Sequence, residues 1–175
     1  MENDFGRRAL WIALLTGATI AGSFIFACAT PFPALGALSA LFLRRRDAFV
    51  LTLINWLANQ IVGYGFLHYP QTFDSFAWGG VIGVGALIAT AVAIAARQLI
   101  ASAPWAVGAL ICFVAAFAAY ELALFATTAL LPAGGGFAAR VVLYVLDVNG
   151  LAFAGLLALQ GVGMATGLAA KTQTV

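Results

Sequence analysis

Residues 30–47 read Thr-Pro-Phe-Pro-Ala-Leu-Gly-Ala-Leu-Ser-Ala-Leu-Phe-Leu-Arg-Arg-Arg-Asp, and the placement of this stretch decides the fold. A Pro31-Phe32-Pro33 break opens it, an apolar run from Ala34 to Leu43 fills it, and the Arg44-Arg45-Arg46 triplet closes it. Ala29 to Leu43 is fifteen residues, about 22 Å as a helix against a hydrocarbon core of roughly 30 Å. Length therefore argues against a crossing, and charge argues for one. If the stretch crosses, Arg7, Arg8, Arg44, Arg45, Arg46, Arg97 and Lys171 gather on one side and only Arg140 falls on the other. If it does not, the triplet moves outside, against the positive-inside tendency. Six crossings follow, with both termini cytoplasmic and a short second helix in a locally thinned or partly re-entrant region beside the first segment.

The rest of the chain agrees with a membrane setting. Of its 175 residues 64% are apolar and 8% charged, whereas a soluble domain carries about a quarter charged residues. A soluble globular protein is excluded, and residues 1–175 read as one integral membrane domain, an all-α six-helix bundle. The other apolar segments run from about Ala9 to Ala27, Ala48 to Leu67, Phe76 to Ile100, Trp105 to Leu131 and Phe137 to Leu168. A net charge of +2 gives no reason to expect nucleic acid as a partner. Two cysteines, Cys28 and Cys112, and one histidine, His68, supply neither a disulfide framework nor a multi-ligand metal site.

Polar side chains in a membrane are costly and therefore informative. In this topology they gather toward the outer ends. Cys28 and Thr30 end the first segment. Asn59 and Gln60, with Asn55 a turn deeper, lie in the third. His68, Tyr69, Gln71 and Asp74 follow, and Trp78 opens the fourth. Glu121, Thr127 and Thr128 lie toward the outer end of the fifth segment. Arg140, Tyr144 and Asp147 begin the sixth at helical offsets of four and seven, on one face. The cytoplasmic halves read as Gly, Ala, Leu, Val and Ile, which suggests a polar cavity open outward and closed below. Each group also has a plainer reading. Arg140, Asp147 and Glu121 suit an internal ion pair, Asn55 and Asn59 suit interhelical hydrogen bonds, and His68 suits a solvated turn. Cys112 reads as inert core. Cys28 is either a small apolar helix end or, deprotonated, a ligand for a soft metal centre. In the first helix Gly17 with Ala21, and Ala18 with Gly22, form small-xxx-small pairs that suit internal packing or docking of a partner subunit.

Six helices, a small-residue first helix, a Pro-rich loop after it and a polar outer cavity resemble the substrate-binding S component of energy-coupling-factor (ECF) vitamin transporters. Within these, Cys28-Ala-Thr-Pro-Phe-Pro-Ala-Leu, Arg44-Arg45-Arg46-Asp47, Trp56-Leu-Ala-Asn-Gln-Ile-Val-Gly-Tyr-Gly and Tyr69-Pro70 are similar to the BtuM-type cobalamin transporters of proteobacteria. The resemblance implies a multi-pass protein of the bacterial inner membrane that captures cobalamin or a related corrinoid, with no other cofactor. It implies a cysteine as axial cobalt ligand that promotes decyanation. Cys28 is the candidate for that role, and His68 the reserve. Thr30, Asn59, His68, Tyr69, Trp78, Arg140, Tyr144 and Asp147 are the remaining candidate substrate contacts. Gly17, Ala18, Ala21 and Gly22 are the candidate docking surface for an ECF coupling subunit with its ATPases. The alternatives are an S component for another vitamin, a non-transport membrane subunit and an intramembrane enzyme. The start Met-Glu-Asn and the single histidine speak against the cobalt and nickel members, which depend on an N-terminal Met-His.

Overall fold

The computed structural model describes residues 2–25, 30–131 and 136–169, and the regular elements among them are all α-helices. α1 spans Glu2–Ile25, α2 Phe32–Phe42, α3 Arg45–Gly65, α4 Phe73–Leu99, α5 Trp105–Thr127 and α6 Ala139–Ala165. They coincide with the six segments read from the sequence, except that α1 begins at Glu2 rather than Ala9.

Three helices, α4, α5 and α6, are long and apolar enough to cross a bilayer. Among the residues whose side chains are described, the apolar part of α1 covers Ala9–Ala21. α3 carries Arg45, Arg46, Asp47, Asn55, Asn59 and Gln60, and α2 has only 11 residues. On length and composition, three of the six expected spans qualify, and these place the chain in a lipid environment.

The short helix α2 has neighbours on several sides. It stands at the centre, packed by α3, α4, α5 and α6. The other five form a ring around it, in the order α1, α3, α4, α5, α6 and back to α1. Every residue of α2 except Ala40 is buried. An apolar helix gains little by exchanging lipid for protein, since both surroundings are apolar. The helix ends decide its position. Eleven residues rise about 16 Å, so in lipid both termini would strand backbone N–H and C=O groups at several kcal/mol each. At the centre of the bundle those groups find partners. Pro33, in the first turn, has no N–H to satisfy. The Ala34 N–H donates to Asn149 Oδ1 at 3.2 Å, and the Leu35 N–H to the Pro31 carbonyl at 3.0 Å. At the other end the Leu43 N–H returns to the Ser39 carbonyl at 2.9 Å. Leu43 and Arg44 alone then join α2 to α3, which pushes Arg44, Arg45 and Arg46 into exposed positions.

Close approach of α2 to α4 depends on Gly36, where a Cβ would sit 3.1 Å from Thr90 Oγ1 and 3.2 Å from Thr90 Cα. Around this contact the helices are tied by buried polar pairs. Thr52 Oγ1 meets Thr90 Oγ1 at 2.8 Å, Trp11 Nε1 donates to Gln160 Oε1 at 3.0 Å, and Asn55 Nδ2 donates to Thr16 Oγ1 at 3.2 Å. These residues add a few buried polar groups to an arginine-triplet half that is otherwise mostly small and aliphatic. Ser39, Thr52, Thr90 and Gln160 are all buried there. The sequence reading passed over them because hydroxyls can hide. Ser39, Thr52 and Thr90 each reach the carbonyl four residues back in their own helix. They tie helices together and leave that half closed.

Candidate functional site

The lead-in and first turn of α2 set a level in the bundle. There Thr30 Oγ1 donates to Asn59 Oδ1 of α3 at 2.5 Å. The Phe32 ring lies 6.4 Å from that of Tyr120 on α5, and Asn149 of α6 caps Ala34. Beyond this level α2 contributes nothing to the axis. α3 continues from Asn59 to Gly65, α5 from Tyr120 to Thr127, and α6 extends back from Asn149 to Ala139, roughly 9, 10 and 15 Å at the α-helical rise. On α5 and α6 burial stops at the same level, whereas Val62 and Gly63 of α3 and Gly79 of α4 remain buried beyond it. On α5 no residue after Tyr120 is buried, and on α6 none before Val148. Among the described residues, the end of the bundle away from the arginine triplet is therefore open along its axis, with α2 as its floor.

One wall of this end is firmly built. Trp56, Gln60 and Tyr64, spaced four apart on one face of α3, enter notches on α4. Trp56 lies against Gly83 and Gln60 against Gly79. Trp56 Nε1 donates to the Gly79 carbonyl at 2.8 Å, and Tyr64 Oη pairs with Ser75 Oγ at 3.0 Å. The Tyr64 ring stacks on Phe76 at 4.7 Å and meets Tyr69 edge-on at 5.8 Å. α4 starts cleanly because Thr72 accepts the Ser75 N–H at 3.3 Å.

Thr30 and Asn59 are brought together at the floor of the open end. Cys28 lies outside the described residues, two positions before Thr30 in the chain. Tyr69 belongs to the wall, with its ring over Gly63 and its N–H on the Gly63 carbonyl at 3.0 Å. Its neighbour His68 is exposed in the turn, with φ 55°, the left-handed conformation that a tight reversal imposes. Trp78 is half-buried near the start of α4.

Arg140, Tyr144 and Asp147 share one exposed face of α6, as their spacing requires, but that face is turned away from α2. α6 presents Asn149, Phe153, Leu156 and Gln160 to the interior, and the three polar residues fall roughly half a turn from that stripe. Arg140 and Asp147 form no ion pair among the described residues. Cys112 is fully buried, its Sγ donating to the Ala93 carbonyl at 3.7 Å, in keeping with a core role. No group of three or more His, Cys, Asp or Glu side chains stands together among the described residues.

On α1, a Cβ at Gly17 would meet nothing within 4 Å, so this glycine serves no close packing inside the bundle. It lines a groove between α1 and α3. Ala18 lines a second groove, between α1 and α6, and Ala21 is exposed. The side-chain surroundings of Gly22 lie outside the described residues.

Sequence reasoning missed Asn149, Tyr120 and Trp56 as builders of this end. For Asn149 a signal was present, because it falls in register with the apolar stripe of α6 whereas Asp147 does not. No protein-family model, no curated protein and no solved structure matches this chain.

Proposed function

We propose that this chain is a solute-binding membrane protein of the ECF S-component type that captures cobalamin or a related corrinoid at the open end of the bundle. In this reading it crosses the bacterial inner membrane six times with both termini cytoplasmic. The open end then faces outward, and the closed half, with Arg44–Arg46, faces the cytoplasm. One observation carries the proposal: the central helix fills only part of the axis, and burial on α5 and α6 ends at its first turn. A bundle whose purpose was structural would gain by filling that axis.

Each residue at the floor then has a task. Thr30 and Asn59 offer a hydroxyl and an amide to the polar periphery of a corrinoid, and the Tyr69 and Trp78 rings offer apolar edges. Cys28 precedes Thr30 by two positions in the chain. A thiolate at Cys28, as axial ligand on the corrinoid cobalt, weakens the bond to the ligand opposite and favours its release, which is the chemical basis for decyanation. Arg140, Tyr144 and Asp147, on the outward face of α6, are not assigned a contact with the solute.

The test is a titration of the purified protein in detergent with cobalamin, followed by visible absorption and by cobalt content after gel filtration. The reading predicts a stoichiometric red complex whose spectrum differs from free cobalamin, the difference being lost in Cys28→Ala. A colourless protein whose melting does not respond to cobalamin contradicts it.

A further inference from the structure

The groove between α1 and α3 has a volume of about 830 Å³ and plays no part in the open end. Its walls are the Ala9-to-Ile20 face of α1 and, from α3, Val50 and Ile54; Arg44, Arg46 and Asp47 close one end. Both arginines are exposed. Along α1 the groove runs about 16 Å, close to the roughly 15 Å of one leaflet's hydrocarbon. Along its length Asn55 Nδ2 donates to Thr16 Oγ1 at 3.2 Å and pins α1 to α3.

We infer that this groove binds one anionic phospholipid, an acyl chain along α1 and the phosphate between Arg44 and Arg46. Three features select that occupant. The groove is apolar along its length and cationic only at the end where a lipid headgroup would lie. The planar, doubly donating guanidinium suits a phosphate oxygen pair, and basic pockets between helices at a membrane surface are suited to anionic headgroups. Finally, over the described residues the groove spans about the depth of one leaflet, the length that a single acyl chain fills. The small residues of α1, with Gly17 at the floor, give the acyl chain room. This inference rests on the membrane placement proposed above and is independent of corrinoid binding.

The experiment is native mass spectrometry of the full chain, released from micelles carrying equal amounts of phosphatidylglycerol and phosphatidylcholine with identical acyl chains. Retention of phosphatidylglycerol at least fivefold over phosphatidylcholine is expected, falling below twofold in Arg44→Gln/Arg46→Gln. Gly17→Leu, which places a side chain in open groove space, is expected to remove retention of both lipids with unchanged helix content by circular dichroism. Equal retention of the two lipids by the unaltered protein overturns the inference. So does undiminished selectivity in the double variant, or a groove-bound polypeptide that Gly17→Leu displaces while lipid retention is unaffected. Because cobalamin titration is a separate readout, failure here leaves the corrinoid reading standing, and the converse also holds.

Discussion

Asn149→Ala isolates what holds the floor of the open end in place. Asn149 is 1% exposed. Its Oδ1 accepts the Ala34 N–H at 3.2 Å and its Nδ2 donates to the Val145 carbonyl at 2.9 Å. Ala34 is fully buried, so removal of the amide leaves an N–H with no acceptor and no water, at about 1–3 kcal/mol. The void left by the truncated side chain adds about 1 kcal/mol. The sum is a loss of about 2–4 kcal/mol, read from reversible unfolding in mixed micelles at increasing mole fraction of sodium dodecyl sulfate. Hydrogen exchange should localise the effect, with faster exchange in the first turn of α2 and little change in α4. Asp147→Ala, two residues away on the exposed face, is the control and should stay within about 0.5 kcal/mol. A loss under about 0.5 kcal/mol for Asn149→Ala, with unchanged exchange at Ala34, would refute the claim that α6 satisfies the end of the central helix.

Gly36→Val should cost about 1–3 kcal/mol by overpacking against Thr90, whereas Gly161→Ala, where a Cβ meets nothing within 4 Å, should be neutral or stabilising; the same unfolding titration compares them. Trp56→Phe removes the 2.8 Å hydrogen bond to the Gly79 carbonyl and should cost about 1–2 kcal/mol, with faster exchange at the start of α4. At Thr52 and Thr90 two hydroxyl protons serve three contacts. A Thr→Val double-mutant cycle should therefore show coupling under about 1 kcal/mol, and a value well above that would mean the hydroxyls are not also bonded to their own helices. Cys28→Ala should abolish decyanation, assayed by cyanide release, with melting temperature unchanged; retained activity would move the axial role to His68.

The sequence makes the helices plain and their arrangement only partly so. Punctuation at Pro31-Phe32-Pro33, Arg44–Arg46, Thr72 and Pro104 delimits α2 to α5 within a few residues, because Pro, capping Thr and charge act locally. The centrality of α2 is not local. It follows from the need to satisfy the ends of a helix too short to cross lipid, and the residue that does so, Asn149, lies 115 positions from Ala34. Thr30 and Asn59 were each legible as polar residues toward the outer ends of their segments, but their pairing is seen only in the structure. On α6, Arg140, Tyr144 and Asp147 are individually more conspicuous than the Asn149, Phe153, Leu156 and Gln160 stripe that faces the interior, so Asn149 was passed over. Buried threonines escaped notice for the opposite reason, since each hides its hydroxyl on its own backbone.

Labelling of the native chain with a membrane-impermeant maleimide, in intact spheroplasts with and without cobalamin, tests the open end most directly. Cys112 is fully buried, so the reaction reports on Cys28, with Cys28→Ala as the blank. Labelling should be rapid in the free protein and slowed at least tenfold by saturating cobalamin. Rapid labelling that cobalamin leaves unchanged, or no labelling from outside at all, would contradict capture of a corrinoid at that end.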